Sequence, residues 1–181
     1  MITTSTVTTT VTTTATVTVG PEYVVEFLGD REYFDQVLEL LSKAKESVYV
    51  AMYIMKYDPN EEDDPVNILL YRLVKLHNEG VDVRVVVDDY TKSHYYKTLV
   101  FLKENGVEVK LDPRSSTRLH AKIVIIEVII DKKWVIVGSH NWSESGLQYN
   151  YEAAILTSKP ETVIEALRYF NNLWENSRPI E

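Results

Sequence analysis

The chain has 181 residues, a length that suits one domain able to bury a substantial core. Its 45% apolar and 25% charged residues are those of a soluble globular protein, and the absence of cysteine excludes disulfides and thiolate metal sites. A formal net charge of −8 excludes a surface coated throughout with positive charge for nucleic acid, though not a local basic groove.

Residues 1–20 are nearly all threonine and valine and carry no charge up to Gly20. They lack the basic start and continuous apolar core of a secretory signal and are too polar to span a membrane. Two readings compete: a low-complexity tail or spacer open to glycosylation, or an added β-strand, since threonine and valine both favour the extended pleat. This segment is set apart from a domain over 21–181. With no transmembrane segment, a cytoplasmic location is expected and secretion stays open.

Tyr23 to Leu28 predicts a short strand. Asp30 is placed to cap a helix reaching about Lys45, with Phe34, Val37, Leu38 and Leu41 at helical spacing. Ser47 to Met55 reads as a strand and Asp58 to Asp64 as a polar loop. The run Glu61-Glu62-Asp63-Asp64 matches no calcium-loop spacing and reads as solvated. No metal or cofactor is expected anywhere in the chain. Asp64-Pro65 starts a helix that Gly80 ends, with Ile68, Leu69, Leu73 and Leu76 facing inward. Val81 to Val87 is a strand. The Asp88-Asp89 pair at its carboxyl end could hold a metal, or more plainly form a strand-end turn or helix cap. Lys97 to Asn105 predicts a helix closed by Gly106, and Val107 to Leu111 the next strand. His77 near a helix end and His94 in a loop read as surface residues.

Between Thr91 and Ile126 stand Lys92, Lys97, Lys103, Lys110, Arg114, Arg118 and Lys122 against only Glu104, Glu108 and Asp112. That basic excess leads into the stretch from Arg118 to Glu152, around which the chain is organised. His120 and Lys122, two apart, share one face of a strand. The apolar, β-branched run behind Lys122 predicts a strand buried on both faces. A turn at Asp131-Lys132-Lys133 returns the chain through Trp134 to Val137, and Gly138-Ser139-His140-Asn141 follows. The hairpin thereby gathers an imidazole, an ammonium, a hydroxyl and a carboxamide, groups suited to a phosphate. Arg118 can add a backbone-phosphate contact at the groove wall. Beyond Glu152, Ala153 to Leu156 predicts a last strand, and Pro160-Glu161 opens a final helix through Tyr169, Phe170 and Trp174. Strands alternating with helices and ending in a long hairpin predict an α/β fold, a mixed β-sheet flanked by helices on both faces.

His120, Lys122, Asp131, Gly138, Ser139 and Asn141 resemble the H-x-K…D…G-S-x-N signature of the phospholipase D superfamily, whose members cleave phosphodiesters without metal. Glu152 matches an acidic residue those proteins often place downstream. The family usually leaves four residues between its lysine and its acid, a place held here by Glu127, while Asp131 keeps the usual distance to Gly138. The hairpin therefore reads as extended by about four residues, with Glu127 and Asp131 both open for the acid's role and Asp131 preferred. The resemblance implies a phosphohistidine on His120 and non-bridging oxygens held by Lys122, Asn141 and Ser139. It also implies a Glu152 carboxylate that accepts from a histidine ring nitrogen. His140 is assigned no catalytic role. One copy of the signature supplies one imidazole, whereas the two-step reaction needs a nucleophile and an acid on opposite sides of phosphorus. The resemblance thus implies a homodimer sharing one site. Small single-signature relatives imply a DNA or RNA endonuclease. Cardiolipin-type phospholipid hydrolysis and a catalytically silent nucleic-acid-binding module are the alternatives.

Overall fold

A computed structural model describes residues 23–129 and 132–180. The threonine-rich segment and Asp131 therefore lie outside the described residues. In chain order the elements are β1 (Val25–Gly29), α1 (Glu32–Lys43), β2 (Ser47–Met52), α2 (Pro65–Asn78), β3 (Asp82–Val87), α3 (Asp89–His94), α4 (Tyr96–Glu104) and β4 (Glu108–Leu111). Then come β5 (Lys122–Ile129), β6 (Lys132–Gly138), a π-helical turn (Ser145–Tyr149), β7 (Ala153–Thr157) and α5 (Pro160–Asn176).

The strands form a seven-stranded mixed sheet in the order β1-β7-β6-β5-β2-β3-β4. β2, β3 and β4 run parallel because helices return the chain between them. From β5 onward the neighbours are antiparallel, and β1 closes that edge against β7. Side-chain alternation divides the core into two layers. Val124 and Ile126 of β5 join the cluster containing Val37 and Leu41 of α1 and Leu69 and Leu73 of α2, while Ile125 joins Phe170 and Trp174 of α5. The fold is α/β with helices on both faces, as the alternating pattern predicts.

Local chemistry explains most boundaries. Asp64 caps α2, its Oδ1 accepting from the Val66 amide at 2.7 Å, with Pro65 in the first turn. Asp88 caps α3, so the plainer of the two readings of Asp88-Asp89 holds, and Asp89 instead pairs with Arg178 at 2.7 Å. His94 is the last residue of α3 rather than part of a loop. The expected cap at Asp30 is corrected: Arg31 occupies the cap position without a side-chain bond, and Asp30 has φ 50°. That left-handed conformation, which asparagine and aspartate tolerate best, turns its groups towards β7 instead of into the helix.

Candidate active site

β5 and β6 leave the sheet side by side and deliver the signature to one edge of it. His120 is exposed on the segment before β5, and Lys122, the first residue of the strand, lies beneath it with 5% exposure. The Lys122 ammonium donates to the His120 carbonyl at 2.8 Å and lies 3.1 Å from Nδ1 and 3.3 Å from Nε2 of the ring. The ammonium therefore packs against the imidazole at nearly equal distance from both ring nitrogens. Burial pushes the Lys122 pKa below its ordinary value, and the Glu152 carboxylate partly opposes that shift.

Gly138 has to be glycine, since a methyl group there would sit 2.4 Å from the Ala153 carbonyl. Its small size lets β7 approach, and Ser139 then exchanges bonds with Ala153: the Ser139 amide donates to the Ala153 carbonyl at 3.0 Å, and the Ala153 amide donates to Ser139 Oγ at 3.1 Å. Asn141 Oδ1 accepts from the Ile54 amide at 3.3 Å, which orients the carboxamide and leaves Nδ2 as a donor.

Glu152 ends the connection between β6 and β7. Its Oε2 accepts from Ser139 Oγ and its Oε1 from Asn150 Nδ2 at 3.1 Å, and among the described residues it makes no hydrogen bond to a histidine ring. Both carboxylate oxygens are engaged within its own loop, and the Ser139 hydroxyl is engaged with it. Glu127 lies at the other end of β5, paired with Lys133 and accepting from Ser47 Oγ at 3.0 Å. Five residues of strand separate it from Lys122, about 16 Å. The extension of the hairpin includes an irregularity in register between Glu127 and Ile129. Of Asp131, only its flanks are described: Ile129 and Lys132 pair at that same remote end.

Several contributors carry no signature. Tyr53 walls the site, its ring centroid 4.8 Å from that of His120 and 5.4 Å from Lys122 Nζ. Arg118 donates to the Tyr53 hydroxyl and lies over both the Tyr53 and Tyr90 rings, and His94 stacks on Tyr90 at 3.9 Å. Asp88 holds the segment before the histidine, its Oδ2 accepting from the Leu119 amide at 2.7 Å. Asp30 clips two parts of the site together: its carbonyl accepts from His140 Nε2 at 2.8 Å, and its Oδ1 accepts from the Glu152 amide at 2.9 Å. His140 is fully buried and stacks on Tyr33 at 4.1 Å; burial lowers its pKa. The sequence shows Tyr53 and Tyr90 only as aromatic residues near strand ends, and nothing local marks Asp30.

A groove of about 690 Å³ runs from His120 past Arg118 and Arg114 towards Asn172 and Asn176 of α5. The basic excess seen in the sequence does not all converge on it. Lys103 donates to the Ile180 carbonyl at 3.1 Å and Lys110 to the Trp174 carbonyl at 3.2 Å. Among the groove-lining residues, the positive charge comes from Arg114 and Arg118.

Residues 37–174 match the family model described as "Cardiolipin synthase, PLD-like domain". The chain belongs to the phospholipase D-like family. The mitochondrial cardiolipin hydrolase of Danio rerio is 29% identical over 152 residues, 83% of this chain, and the chain spans 61% of that relative's length. Among solved structures, Nuc from Salmonella typhimurium, described as a phospholipase D family member, superposes with TM-score 0.71 at 21% identity, covering 88% of this chain and 99% of Nuc. NucT from Helicobacter pylori gives TM-score 0.68 at 21% identity, covering 88% of this chain and all of NucT. These likenesses establish the phospholipase D fold for the sheet and its flanking helices.

Proposed function

We propose that the chain is a phosphodiesterase that hydrolyses nucleic acid, without a catalytic metal, through a phosphohistidine on His120 in a site shared by two copies. One observation carries this reading: an exposed imidazole stands over a buried ammonium, and among the described residues no second imidazole is placed beside it. His140 is buried against Tyr33 and His94 is stacked on Tyr90. In the first step a His120 ring nitrogen attacks phosphorus, the phosphorus–oxygen bond to the leaving group breaks, and the imidazolium of the second copy protonates that oxygen. In the second step the same partner imidazole takes a proton from water, the water oxygen bonds phosphorus, and the phosphorus–nitrogen bond breaks. Lys122 and Asn141 Nδ2 from both copies hold the non-bridging oxygens, where donors fixed in advance stabilise developing charge. Ser139 joins them when its hydroxyl turns from Glu152.

A surface next to the site suits the second copy. Phe27 pairs with Ile155, and Ile155 with Val137, making an apolar row across β1, β7 and β6 that is 65%, 38% and 42% exposed. The row ends two residues from Ser139. Nucleic acid is favoured by Arg114 and Arg118 along the groove, since guanidinium groups donate to phosphate oxygens. A second reading, hydrolysis of a phospholipid, is favoured by the name of the Danio rerio relative. No described helix is long and apolar enough to cross a membrane.

The test is purified protein in excess EDTA against single- and double-stranded DNA, RNA and phospholipid vesicles. Cleavage of nucleic acid is expected. Hydrolysis confined to phospholipid would replace the substrate assignment with the second reading. Activity that vanishes in EDTA and returns with magnesium or zinc would overturn the mechanism.

A further inference from the structure

The acidic loop between β2 and α2 is more ordered than a solvated run. Asn67, fully buried, accepts from the Asp58 amide and donates to the carbonyls of Asp58 and Glu61, fixing the loop's path. Asp64 is 4% exposed, and its Oδ1 is used in capping α2. Its Oδ2 is buried and has no hydrogen-bond partner. A buried carboxylate oxygen without a partner is costly, so something positive or a proton donor belongs there. Glu61 and Glu144 supply the surroundings: one oxygen from each of Glu61, Asp64 and Glu144 lies within 4.8 Å of the others. Among the described residues, no lysine, arginine or histidine makes an ion pair with any of the three. The nearby Tyr149 hydroxyl donates to Glu144 at 3.1 Å, which leaves the carboxylate charges uncompensated.

We propose that Glu61, Asp64 and Glu144 bind a calcium-sized divalent cation. The donors are all carboxylate oxygens, which suits a hard cation rather than zinc or copper. Oxygens that all lie within 4.8 Å of one another can share one calcium ion, whose ligands stand at about 2.3–2.6 Å. Calcium is favoured over magnesium because it accepts irregular carboxylate sets, whereas magnesium demands a near-ideal octahedron and keeps several of its waters. The site has a structural consequence. Glu144 lies three residues after Asn141, and the segments after β2 and β6 are already joined, with the Trp142 amide donating to the Ile54 carbonyl at 3.0 Å and the Lys56 amide to the Trp142 carbonyl at 2.8 Å. The cation cross-links the acidic loop to the turn that follows Asn141. None of the three acids hydrogen-bonds His120 or Lys122, so the inference is independent of the hydrolytic mechanism.

Titration of the chelator-stripped protein with CaCl2 and MgCl2 by calorimetry, alongside thermal melting, tests it. One calcium per chain is expected, with Kd on the order of 10⁻⁴–10⁻³ M for a partly exposed three-carboxylate site, a Tm that rises and saturates, and binding of magnesium at least tenfold weaker. The Glu61→Gln/Glu144→Gln variant should lose both the heat and the Tm shift, while Glu62→Gln/Asp63→Asn keeps them. Terbium gives a readout on the otherwise intact chain: tyrosine-sensitised luminescence should appear, fall in Tyr149→Phe, and be displaced by calcium. No heat and no Tm shift at 10-fold above the expected Kd would overturn the proposal. So would equal magnesium binding, undiminished binding in the double glutamine variant, or terbium luminescence indifferent to Tyr149.

Discussion

At one end of the β5–β6 hairpin, Lys122 and Gly138 bring His120, Ser139 and Asn141 to the same end of the sheet, with His120 on an open groove. At the other end Glu127 pairs with Lys133 and accepts from Ser47 Oγ, the side chains of Glu127 and Lys133 being 14% and 25% exposed. The two ends use similar polar residues, but one leaves an imidazole facing solvent and the other satisfies its charged pair within the sheet. A buried acid paired and hydrogen-bonded in this way holds strands together. An exposed imidazole over a buried ammonium is arranged to meet something that arrives. The difference teaches that a signature spread along 20 residues can serve two purposes, because a strand carries its ends to opposite sides of the molecule.

That contrast can be broken by substitution, and the largest effect belongs to the open end. His120→Ala should lower turnover by about 10⁴-fold or more, the scale for losing a nucleophile, with no change in Tm because the side chain is exposed. Near-normal turnover in a folded variant would end the site assignment. Lys122→Met should cost about 10²–10³-fold in turnover, the scale for one oxyanion donor. Because burial disfavours its charged form, the same variant should be no less stable at neutral pH; a kinetic effect below tenfold would shift the charge stabilisation elsewhere. At the closed end, Glu127→Gln should lower stability by about 1–2 kcal/mol, or roughly 2–8 °C in Tm, with kcat/KM within about twofold. A large kinetic loss with unchanged Tm would reverse the contrast.

The smallest effect is one of pH. His140 has its pKa lowered by burial, so the unfolded chain binds a proton more readily than the folded one. Stability is therefore full above the ordinary histidine pKa and falls as pH drops below about 6.5. His140→Phe keeps a ring against Tyr33 and removes the titration. Its Tm should vary less between pH 7 and pH 5 than the wild-type value; an equal decline would assign the acid sensitivity to other groups.

Much of this was legible because the chemistry is local. The two-residue spacing puts His120 and Lys122 together at the start of β5, and Gly138 marks the close approach of β7. Asp64-Pro65 announces α2 through its own side chain. What was not legible depends on contacts between distant segments. Tyr53 meets His120 across 67 residues, and Asp88 reaches the Leu119 amide across 31. Asp30 reads as a helix cap by type and position, yet its positive φ commits it to Glu152 and His140, 110 residues or more away in the chain. The partners of Glu152 are of the same kind: the family pattern identifies the acid but not which neighbours within the chain take its oxygens, which are Ser139 and Asn150. The π-helical turn at Ser145–Tyr149 had no signal of its own; it accommodates Gly146, where a methyl group would stand 2.5 Å from the Asn141 carbonyl.

The central claim is that the open end of one hairpin is half of a site. Wild-type and His120→Ala chains are mixed at constant total protein, and subunit exchange is first driven to completion and verified with tagged chains. If both imidazoles serve one phosphate, only dimers with two wild-type subunits turn over, and activity follows the square of the wild-type fraction. Activity proportional to the wild-type fraction after complete exchange would mean that one chain holds a whole site, and would contradict the account.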